Sequence, residues 1–551
     1  MHEGQLLILI IGSLAVTAVC RHRGWPAPLV LVVVGLAVSA LPGFPEVEVD
    51  GDLVLAVVLP PLLYSAALRC SAADFRQELG PIAALGVGMV AFTAAAVAVV
   101  ADLLVPDMPL AVAFVLGAVV APPDAVAATA VAKRLGLPRR LVMILTGESL
   151  INDATALTLY RVALAAALGA TTTFLHGLGE FVWTSVAGIG VGLVCGVVAH
   201  VLRRWARDAA LETAFGLVVP FVAYLAAEEI EASGVLAVVA AGMFAGVHLP
   251  RMGFATRLQE EPVWDAIDTV LEALVFGLIG IQLRFVVENV NDSKYSTGAV
   301  AVAGVIVLVA VIAARFAGVF ALGATVRRAQ ARGRARHLPP PSPRAMAVVS
   351  WAGMRGVVTL AVASAIPMTN DAGEPFPDRA VVQLVAFIVT IGTLLIQGLT
   401  LPALIRRLGV QAPEEQEEDA RNEAQVHAVM TEAALARLDE MRAEWPPEHE
   451  AVLDRLADAI RAQGYAAAVT ARARLEGIEE EEDGSAALAA RVRAARADLI
   501  ATQREALIAA RNEGAVDYEV MREVLHSLDL QEAALGADTE EPEPGFRETL
   551  D

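Results

Sequence analysis

Ala118-Val-Val-Ala121-Pro122-Pro123-Asp124-Ala-Val126, inside an apolar run over 109–131, reads as a membrane span that cannot be one continuous helix. Two consecutive prolines remove two backbone donors and clash with the turn before them, so the helix must open at Pro122 and Pro123. A second stretch reaches the same result with other residues. Ser350-Trp351-Ala-Gly353-Met-Arg355-Gly356-Val-Val-Thr359, inside the apolar run 344–368, sets two glycines around an arginine at mid-segment, which weakens the helix there too. Broken helices at corresponding places in two halves of a chain predict inverted repeats with a binding site at the break.

Working outward, apolar segments fall at 6–20, 26–42, 52–68, 81–104, 109–131, 141–169, 182–202, 210–227, 234–248, 263–283, 297–325, 344–368 and 379–405. The expected fold is therefore an all-α polytopic membrane protein of about 13 transmembrane helices. A composition of 56% hydrophobic residues and a mean hydropathy of +0.59 exclude an ordinary soluble protein. Loop charges test the count independently, because cytoplasmic loops are rich in Lys and Arg. Basic loops follow the odd-numbered segments: Arg21 and Arg23; Arg69 and Arg76; Lys133, Arg134, Arg139 and Arg140; Arg203, Arg204 and Arg207; Arg251 and Arg257; and the run from Arg327 to Arg344. The intervening loops are acidic or nearly uncharged, apart from the mixed one carrying Arg284 and Lys294. This alternation predicts an external N-terminus and a cytoplasmic C-terminus in the plasma membrane.

The net charge of −21 is concentrated in one place. Residues 411–551 hold 34 acids against 14 arginines, so 1–410 is nearly neutral. Two domains are expected: a transmembrane domain over 1–410 and an acidic, helical cytoplasmic domain over 411–551. Within the latter, roughly 486–534 shows apolar residues at helical spacing, and the end from Ala537 reads as disordered. Cys20, Cys70 and Cys195 have no metal-ligand or disulfide pattern. The apolar start, Leu6 to Cys20, lacks a basic region before it and reads as a first span.

The sixth segment carries the chemistry: Gly147-Glu148-Ser149-Leu-Ile-Asn152-Asp153-Ala-Thr155. Glu148 and Asn152 are four apart, as are Ser149 and Asp153, so the polar side chains are expected to share one helical face. Oxygen ligands suit a hard monovalent cation, and one carboxylate can hold either that cation or a proton. An ionisable group at mid-membrane costs several kcal/mol, which favours function over decoration. The residues alone leave alternatives open. Asp153 and Asn152 also fit a polar cluster stapling helices, Asp124 fits either a ligand or a neutraliser of helix ends, and Arg315 fits either an edge residue or a core charge partner. The prolines at 60 and 61 fit a simple kink. A passive channel needs a continuous polar pore, and an acid-pair hydrolase on Asp124 and Asp153 sits poorly with a nearby arginine and an Asn-Asp pair.

Leu59-Pro-Pro-Leu-Leu-Tyr64, Pro122-Pro-Asp-Ala-Val126, Gly147-Glu-Ser-Leu-Ile-Asn-Asp153, Ser233-Gly-Val-Leu-Ala237 and Trp351-Ala-Gly-Met-Arg-Gly356 occur in that order. With them the chain over about 5–405 resembles the sodium/proton exchangers of the monovalent cation:proton antiporter family, bacterial branch. The resemblance implies a homodimer whose six-helix core domain moves against a dimerisation domain, with two broken, crossing helices. It implies that Asp153 carries Na+ or H+, that Asn152 stabilises the site, that Ser149 and Asp124 coordinate directly or through water, and that Glu148 pairs with Arg355. The Asn-Asp pair implies electroneutral exchange serving pH and sodium homeostasis, with K+/H+ antiport as the alternative. No enzymatic activity, resident cofactor or nucleic-acid partner is expected; the partners are the bilayer and the transported ions. Two positions depart from the pattern. Ser65 stands where many relatives carry a glutamate, which predicts that a second acid in the ion path is missing, and Pro123 replaces a frequent threonine.

Overall fold

The computed structural model describes residues 3–41, 51–124, 129, 135–169, 174–206, 208–291, 294–332, 342–369, 373, 375–446, 449–475 and scattered positions between 499 and 531. Among them the chain is helical, apart from an isolated bridge between Thr369 and Pro375. Two compact units divide at Gln411 and Ala412.

In the first unit the helices are α1 (Glu3–Arg23), α2 (Ala27–Ser39), α3 (Gly51–Val57), α4 (Leu59–Leu68), α5 (Ala72–Gln77), α6 (Leu79–Ala83), α7 (Val90–Leu104) and α8 (Leu110–Val120). They continue with α9 (Arg139–Ala167), α10 (Phe174–Ala206), α11 (Ala209–Glu228), α12 (Gly234–His248) and α13 (Phe254–Ile281). The last are α14 (Leu283–Asn291), α15 (Thr297–Ala331), α16 (Pro343–Trp351), α17 (Val357–Ser364) and α18 (Arg379–Leu408). A π-helical turn over Ala84–Met89 joins α6 to α7.

Described helix falls on every predicted apolar segment, and α5 and α14 are additions in the connecting stretches. Seven helical stretches are long and apolar enough to cross a membrane: Leu79–Leu104, Gly177–Ala206, Ala209–Glu228, Gly234–Arg251, Phe254–Asn291, Thr297–Ala331 and Arg379–Leu408. Of the other segments, α1 and α9 run 21 and 29 residues, and three are broken into shorter helices. The third splits into α3 and α4, with Pro60 and Pro61 at the start of α4, where helical N–H groups have no partner to lose. These prolines therefore begin a helix, where a kink had been one reading. The fifth stops at Val120, directly before Ala121-Pro122-Pro123; residues 125–128, including Val126, lie outside the described residues, as do Lys133 and Arg134. The twelfth splits into α16 and α17 across Ala352–Gly356.

Side-chain caps mark several helix starts. Asp208 accepts from Leu211 N at 2.9 Å and Ser233 from Leu236 N at 3.3 Å, satisfying first-turn donors that have no intrahelical partner. The core runs through the whole unit, and α9 packs against α8, the π turn and α12. That position sets α9 beside the first break, and α8 in turn packs on α17 and α18 beside the second.

In the second unit, α19 (Pro413–Glu444) and α20 (Glu450–Leu475) pack as an antiparallel hairpin through Leu435, Leu438, Leu453 and Ala457, with Arg442 paired to Asp454 across it. The acidic run 479–483 and most of the helical reading over 486–534 lie outside the described residues, as does everything from Ala537.

Candidate cation site

The two breaks meet. Asp124 N donates to Met354 O at 2.6 Å, tying the chain after α8 to the chain before α17. Each break exposes helix-end groups that carry partial charge. Arg355, 1% exposed, covers one set: Nε donates to Val120 O at 2.9 Å and Nη2 to Ala121 O at 3.2 Å, at the C-terminal end of α8, while Nη1 donates to Gly353 O. Its backbone N donates to Thr393 Oγ1 at 2.9 Å on α18. Asp124 lies at the opposite kind of end. A Cβ built on Gly356, the residue preceding α17, would sit 1.7 Å from Asp124 Oδ2. The carboxylate thus rests against the N-terminus of α17, where negative charge is favoured, and only glycine leaves room for it.

Arg355 does not pair with Glu148, which corrects the expectation drawn from the resemblance. Glu148, 2% exposed, is held by Arg315 of α15, with Nη1 to Oε1 at 2.7 Å and Nη2 to Oε2 at 2.9 Å. Arg315 Nε also donates to Val349 O at 3.2 Å. The physical reason is donor economy: the Arg355 guanidinium faces carbonyls on all its donor edges, whereas Arg315 presents a planar fork to the carboxylate. Arg315 is therefore a core charge partner and not an edge residue. Gly353 makes room for it, since a Cβ there would lie 2.2 Å from Arg315 Cδ.

The four polar residues of α9 divide between two directions. Glu148 faces Arg315, and Asn152 Nδ2 donates to Pro123 O, pinning the first break to α9. Asn152 is fully buried, does not line the cavity, and its Oδ1 has no hydrogen-bond partner. Ser149 and Asp153, one turn apart, instead line a cavity of about 110 Å³ together with Pro122, Asp124, Thr129, Thr146 and Gly356. Asp153 is 7% exposed and has neither a hydrogen bond nor an ion pair among the described residues. Among the described residues no group of three or more His, Cys, Asp or Glu side chains is gathered as for a metal centre.

The cavity has a further wall that sequence reasoning missed. Glu272 of α13 lines it, an acid on a different helix from Ser65. Ser65 itself donates to Asp268 Oδ1 at 2.7 Å, one turn along the same helix. The signal was available: Asp265, Asp268 and Glu272 are spaced three and four apart within the segment 263–283, placing three acids on one face of an otherwise apolar helix.

Residues 6–407 match the family described as sodium/hydrogen exchanger, transmembrane. The chain belongs to that family. As a sodium/hydrogen exchanger family member it is an integral, multi-pass membrane transporter. It is 33% identical over 536 residues to an uncharacterized Na(+)/H(+) exchanger of Mycobacterium tuberculosis, covering 96% of each chain. It is 31% identical over 394 residues to a sodium, potassium, lithium and rubidium/H(+) antiporter of Bacillus subtilis, covering 69% of this exchanger and 58% of that protein. Among solved structures, the sodium proton antiporter MjNhaP1 of Methanocaldococcus jannaschii superimposes with a TM-score of 0.58 at 15% identity, over 74% of this chain and 98% of that one. The last similarity concerns the fold alone.

Proposed function

We propose that the protein exchanges Na+ for H+ across the plasma membrane by alternating occupancy of Asp153. The observation that carries this reading is a carboxylate only 7% exposed, in a cavity, with no counter-ion among the described residues. A bare charge in such a place is costly, so the group is neutral only when a proton or a cation is on it. Binding either one excludes the other, and that exclusion couples the two fluxes. Ser149, one turn below Asp153, supplies a neutral oxygen, and Asp124, steadied at the α17 N-terminus, adds negative field from the opposite wall. Asn152 acts by holding the first break in register with Asp153.

One titrating carboxylate beside an amide favours electroneutral exchange, one cation for one proton. Sodium is the leading ion, from the family description; potassium is the second reading, supported by the broader ion range in the name of the Bacillus subtilis relative. The alternation of basic loops supports an N-terminus outside and a C-terminus in the cytoplasm. The broken helices support the two-repeat, alternating-access architecture, and a homodimer is the expected assembly.

The test uses everted vesicles carrying a pH-sensitive dye. Adding Na+ should dequench the dye, and Asp153→Asn should abolish the response while the protein still reaches the membrane. Apparent Na+ affinity should fall as pH drops, because protons compete for the same oxygen atoms. A cation affinity that does not change with pH, or full exchange by Asp153→Asn, would overturn the mechanism.

A further inference from the structure

Three acids, Asp265, Asp268 and Glu272, occupy one face of α13, but the structure treats them differently. Arg69 Nη2 lies 2.7 Å from Asp265 Oδ1 and 3.3 Å from Asp268 Oδ2, and Asp268 also accepts from Ser65. The other nearby arginine, Arg21, donates to Thr269 Oγ1 at 2.7 Å. Arg69 is thus paired directly with the two outer acids, and Arg21 is held by a hydroxyl. Glu272, one turn deeper and half-buried, makes no ion pair or hydrogen bond among the described residues, and it lines the same cavity as Asp153 and Asp124. An acid that only stabilised helix packing would be expected to share in the available donors, as its two neighbours do. Glu272 feels Arg21 and Arg69 only at a distance, with no direct ion pair to either among the described residues, and its place on the cavity wall leaves it open to a mobile cation.

We propose that Glu272 is a cation-holding member of the transport site, the carboxylate that captures the ion in the cavity and raises its local concentration at Asp153. This deepens the exchange reading and rests on it. The paired acids Asp265 and Asp268 are the approach on the side of the basic loops, where Arg69 keeps two charges compensated until a cation passes to Glu272. The role differs from that of Asp153. Glu272 sets how much cation is needed, while Asp153 is where cation and proton exclude each other.

The experiment measures Na+-dependent proton movement in everted vesicles, and Na+-dependent thermal stabilisation in detergent, for wild type, Glu272→Gln and Glu272→Asp. Removing one negative charge from a partly wet site should raise the apparent KM for Na+ by about tenfold, with a smaller effect at saturating Na+. The Na+ concentration giving half-maximal thermal stabilisation should rise in parallel. Glu272→Asp keeps the charge and should recover most of the affinity. An unchanged KM in Glu272→Gln, or equal loss in the Asp and Gln variants with unchanged Na+ stabilisation, would overturn the assignment and leave Glu272 a structural residue. A shift of the pH profile with Na+ affinity intact would overturn it too, because the group would then serve protons alone. Should Glu272→Gln fold poorly, Glu272→Ser takes its place as the charge-removing variant, and a KM for Na+ and a Na+ stabilisation indistinguishable from wild type in it would reject the capture role. Wild-type protein that moves no protons on Na+ addition would instead refute the exchange reading, a separate outcome.

Discussion

Glu148 and Asp153 stand five residues apart on α9, both carboxylates and both nearly sealed from solvent at 2% and 7% exposure. They differ in company. Glu148 is gripped at both oxygens by Arg315, whereas Asp153 faces a cavity that another acid, Asp124, also lines, with no ion pair among the described residues. The same helix thus carries one acid with a fixed counter-charge and one with none among the described residues. Burial alone does not single out an acid; burial without a partner among the described residues is what makes Asp153, and not Glu148, the candidate carrier.

The contrast breaks most sharply at Asp153 and Glu148 themselves. Asp153→Asn should eliminate exchange yet leave the fold as stable as wild type or more so, since it removes an uncompensated buried acid. Glu148→Gln should do the reverse to stability: it strands Arg315 in the core at a cost of about 3–5 kcal/mol. Arg315→Met alone strands Glu148 and should cost a similar amount. The double variant Glu148→Gln with Arg315→Met should recover most of that loss, to within about 1–2 kcal/mol of wild type, since a buried pair replaced together leaves no naked charge. Melting curves in detergent read all four. Equal destabilisation by Asp153→Asn and Glu148→Gln would erase the distinction between them.

Gly356→Ala sharpens the same comparison from the opposite wall. Its Cβ would fall on the Asp124 carboxylate, forcing that side chain away from the α17 N-terminus. Overpacking of this kind costs about 1–3 kcal/mol, and exchange should fall at least tenfold because the cavity loses its second fixed acid. Normal exchange by Gly356→Ala would mean that Asp124 does not need this seat.

The breaks themselves were legible because their cause is local: adjacent prolines at 122 and 123, and glycines flanking Arg355, disfavour helix whatever surrounds them. The Asp153 candidate was legible for a similar reason, a charge in an apolar run. What the sequence withheld was partner choice. Arg315 and Arg355 are both single arginines in hydrophobic segments, and nothing in their spacing says which reaches Glu148. That depends on α15 passing close enough over Gly353 for its arginine to arrive first. Glu272 was hidden differently: its segment was read for mean apolarity, and the three-four spacing of its acids vanishes in an average. Asn152 shows the limit of helical-face arguments, since residues three or four apart share a general direction but not a cavity, and one position of rotation sends Asn152 to Pro123 and Asp153 to the cavity.

The smallest effect expected belongs to Asn152. Its amide donates to Pro123 O, a carbonyl left free by the opened helix, so Asn152→Ala removes one buried hydrogen bond and leaves that acceptor unsatisfied, at a cost of about 1–3 kcal/mol. The consequence for transport follows from where the bond lies. Pro123 immediately precedes Asp124, so loosening it allows the second acid to wander relative to Asp153 without removing either. Exchange should therefore survive in Asn152→Ala with a reduced maximal rate and a weakened cation affinity, short of the complete loss in Asp153→Asn. Asn152→Asp makes the stronger discrimination. If the amide serves only to hold the break, a carboxylate at 152 repels the Pro123 carbonyl when charged, and exchange falls further than in the alanine variant. If position 152 serves instead as a second carrier site, Asn152→Asp raises the number of charges moved per cycle, and a voltage-sensitive dye in the same vesicles would register transport that was silent before.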